Sequence, residues 1–291
     1  MVEEKTLEEM LEMERTERIV KEIDKLGLSP EEAKRVIKNL REINPKKYKP
    51  IKLSNSGKTE TFGVISDLHM GHMNYRGDIL RHAAKNFKKH GVDYIFNVGD
   101  TLEGMSGRDG HVYELDYIGA SAQLDFFEEE MKVLKDWNVY SIEADSSHGG
   151  WFKSKGSMGL SIGEELQRRA SNYIFLGYDE QDIELGNGLK VRMTHPGGGT
   201  AYAISYKMQK YIESLSGGKK PNIVLQGHFH KTNYMFYRNV HCFDSGCIQE
   251  QSPFMKKIRS PAHLGYWIIK ATGSKKEGLT EIQPQFIPFY E

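Results

Sequence analysis

Phe62-Gly63-Val64-Ile65-Ser66-Asp67-Leu68-His69 is the stretch on which the fold reading turns. Its first four residues make a short apolar run suited to a buried strand. The run ends in a carboxylate and an imidazole separated by one residue. The same arrangement recurs downstream. Asp93 to Val98 runs into Gly99-Asp100, and Val139 to Ile142 runs on toward Ser147-His148-Gly149. A segment ending at Met193 precedes Thr194-His195, and Asn222 to Leu225 leads to Gly227-His228-Phe229-His230. A globular chain has little structural reason to place that many imidazoles and carboxylates just past buried strands. In open α/β sheets ligands gather beyond the carboxyl ends of strands, so loops far apart in sequence can converge there.

Helical patterns lie between these strands: Ile79 to His90, stopped by Gly91; Ala120 to Lys135; Ser161 to Ala170; and Ala201 to Ser214. Asp182 to Met193 reads as a hairpin around Asn187-Gly188, a favoured two-residue turn. Several shorter strand candidates follow toward the C-terminus. Alternating strands and helices, followed by hairpins, predict a mixed α/β sandwich with helices on the outside.

A two-metal site accounts for all the histidine and aspartate islands. In a locally extended stretch, residues i and i+2 point the same way, so Asp67 and His69 are expected to grip one ion, and His228 and His230 likewise. Gly99 lets the backbone turn sharply before Asp100, whose two oxygens can bridge two metals. Mixed imidazole and carboxylate ligands suit manganese, iron or zinc better than calcium or magnesium. Two such ions about 3.5–4 Å apart clamp a phosphoryl group and acidify a bridging water. Each fragment alone is weak, and Gly-His-x-His is moderately specific. Their order and strand-end placement together are strong.

On these motifs the chain resembles the calcineurin-like metallophosphoesterase superfamily, whose motifs run Asp-x-His, Gly-Asp, Gly-Asn-His, a lone His and Gly-His-x-His. The resemblance covers roughly residues 61 to 250. It implies a two-sheet α/β sandwich with the metals at its edge. By that analogy Asp67, His69 and His230 hold the first metal, Asp100 bridges, and His195 and His228 hold the second. His148 matches the histidine that protonates the leaving group or stabilises the transition state. The departure is Ser146-Ser147-His148 where the family has Gly-Asn-His. Ser147 stands where the asparagine carbonyl would meet the second metal. A hydroxyl is also an oxygen ligand, but a shorter one whose loop would have to move inward. A water or Asp145 could fill the gap. The second metal is therefore expected to bind more weakly than the first.

Other residues carry weaker expectations. Arg108 and His111, in the glycine-rich loop after Asp100, read either as substrate-phosphate contacts or as part of a surface loop. Gly197-Gly198-Gly199 reads either as an anion-binding helix start or as a turn that seats His195. His72 is a candidate to support His69. His82, His90, His241 and His263 have no motif context. Trp137 and Trp267 read as packing residues, and Trp151 is the best-placed aromatic near the site loop.

Residues 1–58 look different and are expected to form a separate helical hairpin and basic linker, with the phosphoesterase-like domain over 59–291. Thr6 and Glu9 make a capping box, and Ser29-Pro30-Glu31-Glu32 is a second helix start. Eleven acidic and five basic side chains lie between Met1 and Ala33, against nine basic and one acidic between Lys34 and Lys58. The basic stretch reads as an arm for phosphates or as a solvated tether.

Among the 291 residues, charged groups make up 27% and balance to a formal charge of zero, which gives no sign of a polyanionic partner for the whole molecule. No apolar run approaches the ~20 residues of a membrane span. The acidic start argues against a targeting peptide, and Cys242 and Cys247 read as buried thiols, so a cytoplasmic protein is expected. The leading functional expectation is a metal-dependent phosphoester hydrolase with manganese as the metal (iron or zinc being alternatives). It leans to a phosphodiesterase or nuclease, with DNA or RNA as candidate substrates. The alternative is a nucleic-acid- or metal-binding module whose active site is weakened by Ser147.

Overall fold

A computed structural model of the chain describes residues 51–53, 57–154 and 159–290. The helical hairpin expected within 1–58 lies outside the described residues. The chain divides into two units, Met1–Lys47 and Tyr48–Glu291, and the second is described here.

Twelve strands form two six-stranded sheets. In chain order they are β1 (Ile51–Lys52), β2 (Thr59–Ile65), β3 (Tyr94–Asn97), β4 (Val139–Glu143), β5 (Tyr173–Tyr178), β6 (Glu180–Glu184), β7 (Lys190–Thr194), β8 (Ile223–Gln226), β9 (Thr232–Tyr237), β10 (Val240–Ser245), β11 (Gly265–Ser274) and β12 (Gly278–Pro288). One sheet runs β12-β11-β2-β3-β4-β5 and the other β1-β6-β7-β8-β10-β9. Strands β2 to β5 are parallel, and β11 and β12 extend that sheet antiparallel. In the second sheet β7, β8 and β10 are mutually parallel. The helices are α1 (Gly77–Lys89), α2 (Ala120–Met131), α3 (Trp151–Ser154), α4 (Ile162–Arg169), α5 (Tyr206–Ser214) and α6 (Pro253–Lys257). Among them none is long and apolar enough to cross a membrane.

Strand alternation explains the layering. Phe62 and Val64 of β2 and Phe96 of β3 face the second sheet, where Val191, Met193, Ile223, Leu225 and Phe243 meet them. Ile65 and Ile95 face the other way, onto Ile79, Leu80, Ala83 and Phe87 of α1 and Leu124 and Phe127 of α2. Across the molecule, Met208 and Ile212 of α5 cover Val224, Val240 and Cys242. The result is an α/β sandwich of two mixed sheets with helices outside, as expected. Both cysteines are buried and unbridged.

Three local expectations are corrected. The turn between β6 and β7 is a three-residue loop, Gly186–Gly188. The Gly188 N–H donates to the Leu185 carbonyl (2.8 Å), Leu185 N–H donates to Leu189 carbonyl (2.8 Å), and Gly188 takes a φ of 85°. That is a turn followed by one left-handed residue rather than a two-residue hairpin. Buried Glu60 favours this geometry by accepting from the Asn187 N–H (2.7 Å) while also taking the Tyr94 hydroxyl (2.5 Å). Helix α5 begins at Tyr206, not Ala201. Finally, Ile51–Lys52 pairs in parallel with Ile183–Glu184, so strand pairing already begins within the stretch read as linker.

Asp244 on β10 is buried, and burial pushes its carboxyl up to about 6 although the Gln226 amide donates to it at 2.7 Å. A carboxyl raised in the fold is a charge that opposes folding above pH 6, and the penalty fades as pH falls from about 6 to about 4. Asp244→Asn should therefore unfold at higher denaturant at pH 8, by up to about 3 kcal/mol. The gain should vanish at pH 4. Equal midpoints at pH 8 would contradict this.

Candidate metal centre

The loops after β2, β3, β4, β7 and β8 meet at one edge of the sandwich. Backbone bonds join the first two directly: Asp67 N–H to Gly99 carbonyl (3.0 Å), His69 N–H to Asp100 carbonyl (3.0 Å) and Met70 N–H to Thr101 carbonyl (2.9 Å). These loops are not extended. Asp67, His69, Asp100, His148, His228 and His230 all have positive φ, between 44° and 80°. Non-glycine residues seldom adopt this region, and clusters of them mark functional sites. The side chains therefore converge through sharp left-handed turns, which corrects the extended-stretch reasoning.

Three sets of potential ligand atoms each lie within 4.8 Å of one another: Asp67, His69 and His230; Asp100, His195 and His228; and His69, Glu103 and His148. The first set joins Asp67 and His69 to His230, and the second joins Asp100 to His195 and His228. They also correct the expectation that His228 and His230 share one ion, since the two rings fall in different sets. Within the first, the Nε2 atoms of His69 and His230 are 3.0 Å apart, and His230 Nε2 is 3.3 Å from Asp67 Oδ1. Within the second, His195 Nε2 is 2.9 Å from Asp100 Oδ2.

The tautomers follow from the outer partners. His195 Nδ1 lies 2.6 Å from the Val98 carbonyl, and His228 Nε2 lies 2.7 Å from the Gly198 carbonyl. Carbonyls only accept, so these nitrogens carry the protons. The opposite nitrogens then present lone pairs to the site. Neutral His195 faces Asp100 with acceptor against acceptor at 2.9 Å, and both His195 Nε2 and Asp100 Oδ2 are buried without a hydrogen-bond partner. Only a proton or a cation can reconcile such a pair. Burial opposes charge on His195, yet Asp100 outweighs it and holds the imidazole up at about 9. His69 is held at about 10, its burial outweighed by bonds to Asp67 and Glu103. Burial would raise Asp67 and Asp100, but the surrounding histidines pull both below the usual carboxylate range. Buried nitrogen and oxygen donors held this way fit a divalent metal.

Gly99 and Gly227 make room for His195. A Cβ on Gly99 would sit 2.5 Å from His195 Nδ1, and one on Gly227 would sit 2.7 Å from the same atom. Gly99 also turns with a φ of 98°.

His148 is half-buried, with 24% of its side chain exposed. Its Nε2 is 3.7 Å from Asp100 Oδ2, and its ring packs on Trp151 with centroids 4.6 Å apart. The Ser147 hydroxyl reaches Asp100 Oδ1 at 3.5 Å, so it stands beside the second set without a rearranged loop. Asp145 instead pairs with Lys153 at 2.6 Å.

Nothing in the sequence singles out Glu103. It is buried and touches three histidines: His69 Nδ1 at 2.8 Å, His111 Nε2 at 2.7 Å and His148 Nδ1 at 3.4 Å. Its carboxylate is held well below the usual range, because His148 and the other imidazoles outweigh its burial. The third set is thus a hydrogen-bonded cluster behind the first. Its only sequence signal was an acid three residues after Asp100. His111 is buried on Glu103, and Arg108 pairs with Glu114 at 2.9 Å. His72 turns to Glu114 (3.4 Å) rather than to the His69 ring. Gly197–Gly199 precede no helix; the segment serves as the turn whose Gly198 carbonyl holds His228. Trp137 and Trp267 pack in the core and donate to the Val92 and Asp244 carbonyls.

This sandwich, with these motif residues on its edge, has the architecture that the resemblance to the calcineurin-like metallophosphoesterases implies. No family model matches the chain. It is 24% identical over 253 residues to the DNA polymerase II small subunit of Halobacterium salinarum, in each of two strains, covering 74% of this chain and 48% of that protein. The chain thus spans about half the length of the curated relatives it matches. Similar solved structures include an archaeal phosphodiesterase (15% identity, 78% of this chain and 99% of that one, TM-score 0.44). Another is a Vps29 from Entamoeba histolytica complexed with zinc (10% identity, 79% and 99%, TM-score 0.39).

If Glu103 orients His69, Glu103→Gln should weaken divalent-metal binding about 10- to 100-fold. Titration calorimetry would read this, with circular dichroism reporting an intact fold. Unchanged affinity would remove Glu103 from the site.

Proposed function

We propose that this protein is a metal-dependent phosphoester hydrolase that binds two divalent ions and acts on phosphodiesters. The observation that carries the reading is the pair of adjacent sets, Asp67/His69/His230 and Asp100/His195/His228, buried except for the half-buried His228 and presenting inward lone pairs that call for cations. Bound there, the ions would supply an acidified water and neutralise phosphate charge. Manganese is the proposed metal, with iron or zinc as alternatives.

The chain's own residues then have distinct tasks. Asp67, His69 and His230 would hold the first ion, and His195 and His228 the second, with Asp100 between them. The Val98 and Gly198 carbonyls fix which nitrogen of His195 and His228 faces inward. His148, partly exposed at the mouth, is placed to give a proton to the leaving oxygen or to steady charge on it. Glu103 orients both His69 and His148. Ser147 offers a hydroxyl where the family has an amide oxygen, so the second ion is proposed to bind more weakly than the first.

The similarity to a DNA polymerase subunit supports nucleic acid as the substrate class. It also supports a second reading, in which the chain is an accessory or nucleic-acid-binding subunit with reduced turnover.

Two experiments separate these readings. Manganese-dependent release of nitrophenol from bis-p-nitrophenyl phosphate is expected, and Asp100→Ala should abolish it, by more than about 100-fold. Metal-loaded protein with no turnover would sink the hydrolase reading. Ser147→Asn should tighten the weaker manganese site in calorimetry. Two equally tight sites in the native chain would refute the asymmetry.

A further inference from the structure

Residues 246–263 form a loop tied to the metal centre at both ends. Near its start Ile248 N–H donates to the Asp67 carbonyl (3.1 Å), and the Gln249 amide reaches Glu103 (3.4 Å). Near its end His263 N–H donates to the His230 carbonyl (2.8 Å). Between these anchors stands a short ridge around α6. Ser252 caps it through the Met255 N–H (3.2 Å), Pro253 opens the helix, and Met255 is buried beneath. Ser260 N–H then returns to the Met255 carbonyl (2.9 Å).

What the ridge exposes is apolar or cationic. Phe254 and Ile258 are 46% and 52% exposed, and Lys256, Lys257 and Arg259 lie open beside them. Among the described residues none of these three cations forms an ion pair. Glu114 and Glu250, on adjoining segments, are already engaged by Arg108 (2.9 Å) and Arg76 (2.5 Å). The Arg108 guanidinium also lies 5.4 Å over the Phe254 ring, which joins the ridge to the loop that carries Glu103.

Three cations in four residues, unpaired among the described residues, attract a polyanion. Apolar side chains among them suit a strand whose base faces are free, whereas a duplex hides those faces. We propose that residues 254–259 are a docking surface for single-stranded DNA. Lys256, Lys257 and Arg259 hold backbone phosphates, Phe254 and Ile258 meet a base, and the strand continues into the metal centre. The delivery step rests on the diesterase reading above, and the choice of DNA over RNA rests on the similarity to a DNA polymerase subunit.

The test uses the full chain in chelator, so that binding is read without cleavage. Fluorescence anisotropy follows a labelled oligothymidylate over a series of salt concentrations. The variant is Lys256→Ala/Lys257→Ala/Arg259→Asn; asparagine is chosen because Arg259 has a φ of 55°, which it tolerates. Its affinity should fall at least about tenfold, and its log–log salt slope should become shallower by about 2, from roughly 0.7 per phosphate contact. Lys256→Arg/Lys257→Arg should keep native binding. Turnover of bis-p-nitrophenyl phosphate should be unchanged in both variants.

Failure of the native chain to bind the oligomer overturns the proposal. So does native affinity and slope in the triple variant, or tighter binding to duplex DNA or to oligouridylate. If binding depends on the ridge but the native chain hydrolyses no small diester, the docking surface stands and the hydrolase reading falls.

Discussion

The Asp67 carboxylate is where the two sheets meet chemically. It follows β2 in one sheet and accepts the backbone N–H of His228, which follows β8 in the other, at 3.0 and 3.1 Å. The Ser66 hydroxyl donates to the same group at 2.5 Å, and His230 Nε2 faces it at 3.3 Å. A fully buried carboxylate is expensive unless such partners compensate it. Here they do, and the charge stays on the group because His230 and His69 outweigh its burial. The position of His228 relative to His230, and so the division of the ligands into two sets, depends on this one joint.

The ligand loops around it are strained, and the strain is held by the scaffold. Six left-handed non-glycine residues cost about 1–3 kcal/mol each. They persist because the loop backbones are cross-bonded, Asp67 to Gly99, His69 to Asp100 and Glu103 to Met70. Behind them a buried polar network adds rigidity. Glu143 accepts from the Thr101 N–H and hydroxyl, at 3.3 and 2.5 Å, and from the Tyr173 hydroxyl. Burial raises the Glu143 carboxyl above its ordinary value, against the bonds from Thr101 and Tyr173 that favour its charged form.

Much of this was legible in the sequence because the information is local. Apolar runs of four to six residues specified β2, β3, β4 and β8, and a polar residue at the end of each run marked a loop mouth. What was hidden depends on contacts between loops. Glu103 looks like one acid in a glycine-rich loop until the loop folds back and presents it to His69, His111 and His148. The left-handed turns at Asp67 and His69 are imposed by cross-loop bonding that no i, i+2 pattern encodes. The late start of α5 follows the same rule. Gly198 and Ala201 give their carbonyls to His228 and Lys231, at 2.7 and 3.1 Å, so the segment before Tyr206 holds the site instead of coiling.

This organisation also bears on what Ser147 does. The second ligand set takes its orientation from backbone carbonyls, Val98 for His195 and Gly198 for His228, and from the cross-bonded turn at Asp100. None of these contacts involves residue 147. Exchanging an amide oxygen for a hydroxyl therefore removes one neutral donor without disturbing the rest of the arrangement. The hydroxyl lies 3.5 Å from Asp100, a separation that a water would have to bridge if an ion were held there. On the proposed two-metal reading the substitution would act on the affinity of the second site, while the geometry that positions His148 over Asp100 is set elsewhere.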